Sequence, residues 1–175
     1  MKKLYFIAIY PPTEIIEEVR IFKKDLAIYY DNSKALKNEA HITLFPPFSR
    51  EIEWEDDIFT AFQKIDTHMN PFKIELNGFG SFANPKNPVI YIHPEISSEL
   101  QDLYKRVKQQ FSFAPYSFNP HMTVGYRDLT WENYLRAWEK YQHFPYKTNF
   151  LVDKILLLRH DGNWIPIAEK RLETN

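Results

Sequence analysis

One short pattern occurs twice in this chain, about eighty residues apart. It is a histidine, any residue and a threonine, followed by a β-favouring apolar residue, and it places His41 with Thr43 and His121 with Thr123. Successive side chains of a β-strand point to opposite faces, so each histidine shares a face with its threonine. If the 6 histidines and the threonines were placed at random in 175 residues, about 0.3 such pairs would be expected. The two observed pairs therefore favour a duplicated structural unit.

The elements that surround the two motifs also repeat. Apolar spacing, caps and turn residues predict the elements of both halves. The first half has a strand at 3–10, a helix at 13–30, a motif strand at 39–45 stopped by two prolines, a helix at 54–68, and strands at 71–82 and 88–94. The second half has a helix at 95–111, the second motif strand, a helix at 130–143, and two strands about Asp161 and Gly162. The sequence therefore predicts one α+β domain over residues 1–175. Its two lobes would each supply one motif strand, adjacent and central, to a shared cleft.

Composition narrows the classes of function. The chain has 22 basic and 23 acidic residues. A protein that holds long nucleic acid mainly through its phosphates is usually basic, so any nucleic-acid partner of this chain is expected to be short. The absence of cysteine excludes disulfides and thiol catalysis. The apolar run at residues 4–10 is shorter than the core of a signal peptide, and no segment has the length of a membrane span. We expect a cytoplasmic monomer with no membrane partner.

Two histidines beside two hydroxyls suit phosphodiester chemistry. A neutral imidazole can take a proton from the attacking group while a protonated one gives a proton to the leaving oxygen, and hydroxyls can bind the non-bridging oxygens. No metal or other cofactor is required. The alternatives are histidines packed in the core, or a metal site, for which no third ligand is indicated at a suitable spacing. Four other histidines lack a threonine partner and are interpreted as surface residues: His68, His93, His143 and His160.

The paired motifs resemble those of the 2H phosphoesterase superfamily, which includes bacterial 2′-5′ RNA ligase and cyclic phosphodiesterase proteins. The likeness extends to the opening strand, the strand at 89–94 and the closing hairpin, so it spans nearly the whole chain. It implies a bilobal, pseudo-twofold fold with two antiparallel sheets flanking a central cleft and helices outside. It also implies metal-independent chemistry at 2′,3′-cyclic phosphates or 2′-5′ phosphodiester linkages, with His41 and His121 catalytic and Thr43 and Thr123 binding phosphate. Within that scheme it favours His121 as the base and His41 as the acid.

The surroundings of the motifs suggest further contacts with a short RNA or nucleotide. In the RNA ligase branch an arginine often stands three residues after the second threonine, but here that position is Tyr126 and the arginine is Arg127. On a regular strand this change reverses the face of the arginine, so a bulge would be needed for it to reach the phosphate. Aromatic residues that could stack on a base, or pack in the core or at its rim, lie near the motif ends: Phe45, Phe48, Phe82 and Tyr126.

Two other functions remain open from the sequence. The same site could join RNA ends through 2′-5′ linkages, or the fold could be a non-catalytic module that binds RNA or nucleotides. Binding alone does not require two histidines beside two hydroxyls. Turnover of a cyclic substrate in the presence of a chelator separates the enzyme from the binding module.

Overall fold

Two antiparallel sheets of four strands each make up the framework of the part of the chain that a computed structural model describes, residues 1–113 and 116–174. The strands are β1 (Lys2–Ile9), β2 (Ile42–Glu51), β3 (Phe72–Phe82), β4 (Val89–Pro94), β5 (Met122–Gly125), β6 (Lys147–Val152), β7 (Lys154–Asp161) and β8 (Asn163–Arg171). The helices are α1 (Thr13–Tyr30), α2 (Glu55–Gln63), α3 (Ser98–Gln110) and α4 (Trp131–Tyr141), with short 3₁₀ segments at Lys34–Lys37 and Ile52–Trp54. The predicted α+β class is confirmed.

The strand order differs from the expectation that the motif strands are adjacent and central. The first sheet has the order β2-β1-β7-β8 and the second β5-β4-β3-β6, so each motif strand lies at the edge of its own sheet. Each sheet also takes two strands that precede α3 and two that follow it. The two halves of the sequence are therefore interleaved, and the motifs meet between sheets rather than within one.

Helix α1 links β1 to β2 within the first sheet and packs against β5 of the second. It follows Pro11 and Pro12, which end β1, and its buried positions are Ile15, Val19, Lys23 and Leu26, a spacing that puts them on one face. This face packs against β5 and the 3₁₀ segment, and α1 also contacts α4. The helix ends where Asp31 adopts the left-handed conformation, with φ of 52°. In the described residues, no helix is long and apolar enough to cross a membrane.

The first sheet has two apolar faces. Tyr5, Ile7 and Ile9 of β1 are buried in the main core, together with Ile155 and Leu157 of β7. The alternate residues form a smaller apolar cluster on the other face, made of Phe6, Ala8, Leu156 and Leu158, with Tyr10 and Trp164 packed against it. This second face is the one that carries the first motif, because Ala8 pairs directly with Thr43.

A one-residue bulge follows the threonine of each motif. Ala8 pairs with Thr43 and Ile7 with Phe45, which leaves Leu44 as the extra residue in β2. In the second sheet Tyr91 pairs with Thr123 and Ile90 with Gly125, so Val124 is the extra residue in β5. Bulges of this kind redirect the side chains that follow and are frequent next to functional sites.

Two expectations about strand ends were wrong. Strand β2 continues through Pro46 and Pro47 to Glu51, because an edge strand tolerates residues that lack an N–H group. The pairing of β2 with β1 has a second register irregularity at the two prolines. The C-terminal region holds three strands rather than two. A single residue, Asp153, separates β6, which pairs with β3 in the second sheet, from β7, which pairs with β1 in the first.

Candidate active site

A cleft of about 610 Å³ lies between the edge strands of the two sheets. Five of the residues singled out from the sequence line it: His41, Thr43, Thr123, Tyr126 and Arg127. His121 is not part of this lining, although it lies two residues before Thr123 and immediately before the strand β5. The structure thus brings residues of both motifs to one cleft.

The two histidine rings are held by the same backbone contact. Nδ1 of His41 lies 2.8 Å from the carbonyl oxygen of Glu39, and Nδ1 of His121 lies 2.8 Å from that of Asn119. A carbonyl oxygen only accepts hydrogen bonds, so Nδ1 of each ring is the donor and carries a proton. Nε2 is then left as the nitrogen that can accept a proton in the neutral ring or donate one in the charged ring.

Aromatic side chains flank each imidazole. Phe6 of β1 and Tyr10, which follows that strand, have ring centroids 5.1 and 6.1 Å from that of His41. Phe82 and Tyr91 have centroids 5.1 and 5.6 Å from that of His121. These contacts restrict the rotation of both imidazoles, which favours a fixed catalytic geometry.

The position of Tyr91 depends on a glycine in the paired strand. Gly80 pairs with Tyr91, and a Cβ atom added at Gly80 would lie 2.5 Å from two carbons of the tyrosine ring. The ring therefore occupies the space that a side chain at position 80 would fill. This close approach holds Tyr91 beside His121.

The pKa of His41 is lowered to about 4. The largest cause is burial against the apolar cleft wall, which disfavours the charged ring, and the hydrogen bond to the Glu39 carbonyl acts in the opposite direction. The positive charges of Lys23 and His121 lower the pKa further, so both groups are within electrostatic reach of His41. In the unliganded protein His41 is neutral at neutral pH.

Lys23 is a lysine in the cleft wall that sequence reasoning missed. It is only 4% exposed, and its Nζ donates a hydrogen bond of 2.6 Å to the backbone oxygen of Asn38. Burial lowers the pKa of Lys23 to about 8, so the amine remains mostly protonated at neutral pH. The carboxylate of Glu39, which also lines the cleft, is paired with Arg20 at 2.6 Å. The unpaired charge in this wall is therefore positive, which suits an anionic ligand.

Tyr126 and Arg127 reach the cleft where the chain leaves β5. Arg127 has a left-handed backbone, with φ of 61°, and its guanidinium lies 5.1 Å from the ring of Tyr126. The buried Asn32 fixes this turn, since its amide donates to the Tyr126 carbonyl at 2.7 Å and to the carboxylate of Asp128 at 2.5 Å. The Asp128 carboxylate also accepts from the backbone N–H of Ser33 and caps the 3₁₀ segment. Both residues expected to contact the ligand thus line the cleft.

Phe45 does not lie at the cleft, in contrast to the prediction that it contacts the substrate. Its side chain is fully buried, with ring centroids of Phe48 and Tyr116 at 5.5 and 4.9 Å. The reason is the bulge at Leu44, since regular pairing would have placed Phe45 opposite Phe6 on the cleft face. Phe48 belongs to the same buried cluster, whereas Phe82 packs against His121.

The remaining histidines differ in exposure. His68, His93 and His143 are exposed, as expected. His160 is half-buried, with its ring centroid 5.1 Å from that of Trp164. Across residues 1–113 and 116–174, no group of three or more histidine, aspartate or glutamate side chains is placed to hold a metal ion.

Comparison with known proteins gives a family match. The family model described as the 2′-5′ RNA ligase superfamily matches residues 11–164. A protein of Bacillus mycoides (strain KBAB4) named "Putative phosphoesterase" is 34% identical over 126 residues, which cover 71% of this chain and 69% of the relative. A Bacillus cereus (strain AH187) protein of the same name is 34% identical over 121 residues, 68% of this chain and 67% of the relative.

Solved structures share the fold at lower identity. A crystal structure of Escherichia coli LigT complexed with 3′-AMP aligns with a TM-score of 0.75 and 18% identity, over 99% of this chain and 100% of that one. A crystal structure of a Thermus thermophilus protein aligns with a TM-score of 0.71 and 16% identity, over 99% of both chains. The three proteins therefore share the same overall fold.

Proposed function

Because the chain belongs to the 2′-5′ RNA ligase superfamily, we propose that it is a phosphoesterase that hydrolyses 2′,3′-cyclic phosphates on short RNA or nucleotide-like molecules without a metal ion. The whole chain would act as one domain in which each sheet supplies one motif. One observation carries the proposal: both histidines are held through Nδ1 by a carbonyl two residues earlier, which leaves both Nε2 atoms available for proton transfer. A merely structural histidine has no need of this repeated arrangement.

The division of labour follows from the chemistry of ring opening. Water attacks the phosphorus and loses a proton to the Nε2 atom of one neutral imidazole. The bond from phosphorus to one ribose oxygen breaks, and that oxygen receives a proton from the other imidazole, which is charged. The hydroxyls of Thr43 and Thr123 donate hydrogen bonds to the non-bridging oxygens, where negative charge accumulates. The product is a phosphomonoester, and the cycle is reset when the protonated base releases its proton to solvent and the neutral acid takes one up.

The roles of the two histidines depend on what a bound phosphate does to His41. We assign the base to His121 and the acid to His41, as the family resemblance suggests. The unliganded protein holds His41 neutral, but a phosphate anion beside the ring favours its charged form and raises its pKa. In this scheme the substrate itself supplies the charge that lets His41 act as the acid. Titration of the His41 ring by NMR, with and without a nucleotide phosphate, tests the assignment, and a pKa that does not rise on binding contradicts it.

Three further residues are assigned to substrate binding. Lys23 and Arg127 add positive charge to the wall that faces the phosphate. Tyr126 presents an aromatic ring in the same wall and can stack on a base. The proposal that the cleft takes a nucleotide has a parallel in the distant structural relative, since crystal structures of Escherichia coli LigT contain 3′-AMP, NADP+ or ATP.

The decisive experiment measures hydrolysis of a 2′,3′-cyclic nucleotide after treatment with EDTA. The rate should persist, because the two histidines rather than an ion move the protons. His41→Ala and His121→Ala should each lower kcat by about 10²–10⁴-fold, with the double variant little worse than either. His143→Ala, an exposed histidine after α4, is the control for loss of an imidazole. Activity that disappears with EDTA and returns with a divalent ion, or that survives in either motif variant, refutes the mechanism.

A further inference from the structure

A second cavity opens directly from the cleft. It is open to solvent, with about 830 Å³ of space between its walls, and shares four lining residues with the first cavity: Asn38, Tyr126, Arg127 and Trp164. Its other walls come from the 3₁₀ segment and from the turn between β7 and β8. A ligand whose phosphate lies by His41 can therefore extend past Trp164 into this second cavity without leaving the protein surface.

Positive charge is concentrated along the second cavity. Lys34, Lys37 and Arg127 line it, and all three are exposed. Within the part of the chain that the structure describes, the ion pairs do not include any of these side chains. Three such cations on one side of a protein of net charge −1 make a local site for an anion.

The acidic residues at this border already have other partners. The carboxylate of Asp128 accepts hydrogen bonds from the backbone of Ser33 and Lys34 and from the amide of Asn32. Asp161 is paired with Lys3 and with Arg159, each at 2.6 Å. Neither carboxylate pairs with the side chain of Lys34 or Lys37, so these two amines are available to a ligand.

An aromatic side chain stands at the junction of the two cavities. Trp164 packs edge-on against Phe6, with centroids 4.4 Å apart, and against His160 at 5.1 Å. The indole is thus held from two directions before any ligand arrives. An oriented ring between two phosphate-binding regions matches the alternation of base and phosphate in a single strand.

We propose that the second cavity binds the nucleotide next to the cyclic phosphate, so that the preferred substrate is a short single-stranded RNA with a 2′,3′-cyclic phosphate end rather than a mononucleotide. Lys34 and Lys37 bind the neighbouring phosphate, and Trp164 stacks on a base. This inference rests on the proposed function and specifies its substrate.

The test compares two substrates in two lysine variants. Wild-type protein should show a higher kcat/KM for a pentanucleotide with a 2′,3′-cyclic phosphate end than for 2′,3′-cyclic AMP. Lys34→Gln combined with Lys37→Gln should lower kcat/KM for the pentanucleotide at least tenfold more than for the mononucleotide. The slope of log kcat/KM against log salt for the pentanucleotide should decrease in magnitude by about 0.7, because one phosphate of a single strand is no longer neutralised. The control with the same charge change is Lys24→Gln with Lys105→Gln, two exposed lysines outside both cavities.

Each result decides the inference. It is overturned if the wild type does not prefer the pentanucleotide, or if the cavity variant and the control variant affect both substrates equally. If neither substrate turns over, the proposed function fails, and fluorescence anisotropy of a labelled pentanucleotide with a 3′-phosphate end then decides on binding alone. Weaker binding by the cavity variant than by the control supports the subsite, and equal binding overturns it.

Discussion

Acidification should destabilise this protein through His41 in a defined pH window. An unfolded histidine titrates near 6.5, whereas the pKa of His41 in the folded protein is about 4. Between these values the unfolded chain binds a proton that the folded protein does not, so the free energy of unfolding falls as the pH falls. At 1.36 kcal/mol per pH unit, the contribution of this one ring across the window is about 3 kcal/mol.

Urea unfolding at about pH 7 and about pH 4.5 isolates this contribution when wild type is compared with His41→Gln. The difference in unfolding free energy between the two proteins should change by about 2–3 kcal/mol between the two conditions, while the carboxylates that titrate in both proteins cancel. Tyr10→Phe keeps an aromatic ring beside His41 and should retain the full wild-type pH dependence. A difference between wild type and His41→Gln that does not vary with pH would refute the argument that burial holds this imidazole neutral.

Three substitutions test other features of the site. Asn32→Ala removes the amide that fixes the turn after β5, and should cost about 1–3 kcal/mol in urea unfolding and raise KM because Arg127 loses its anchor. Phe45→Ala should cost about 3–5 kcal/mol by the same assay, with kcat/KM of the folded fraction little changed, since its ring lies in the core; a selective rise in KM would contradict this placement. Gly80→Ala should displace the ring of Tyr91 and lower kcat, and the resulting rise in activation free energy should exceed the loss in unfolding free energy. An unchanged kcat would show that the position of this ring does not matter for catalysis.

The motif residues could be predicted from the sequence because their relation is local. His41 and Thr43 share a face through strand period alone, whatever sheet the strand joins. Phe45 could not be placed in the same way, because the bulge at Leu44 arises from pairing with β1, about forty residues away in the chain. Strand period alone would put Phe45 on the face of His41 and Thr43, and the bulge turns it to the other face. The helix at Thr13–Tyr30 was predicted with its observed bounds, since its apolar spacing and its flanking prolines are both local signals.

Lys23 and the C-terminal strands show two different limits. Lys23 occupies a position in the buried stripe of α1, between Val19 and Leu26, so a charged residue on a core face was a signal that the sequence did contain. The break at Asp153 carried no comparable signal. A continuous β-favouring run does not reveal that the chain changes sheets within one residue, because strand partners are set by the whole fold.

The interleaving of the two halves has a consequence for how the chain acquires its structure. Strand β1 pairs with β2 on one side and with β7 on the other, and β7 begins at Lys154. During synthesis the edge of β1 that pairs with β7 therefore stays without its partner until the residues from Lys154 onward have left the ribosome, and such long-range pairing is slow. The wall of the cleft that holds His41 also includes Trp164 of β8, so it is completed only after both β7 and β8 have been made. A chain truncated before β7 should consequently remain prone to aggregation, even though both motifs are already present in it.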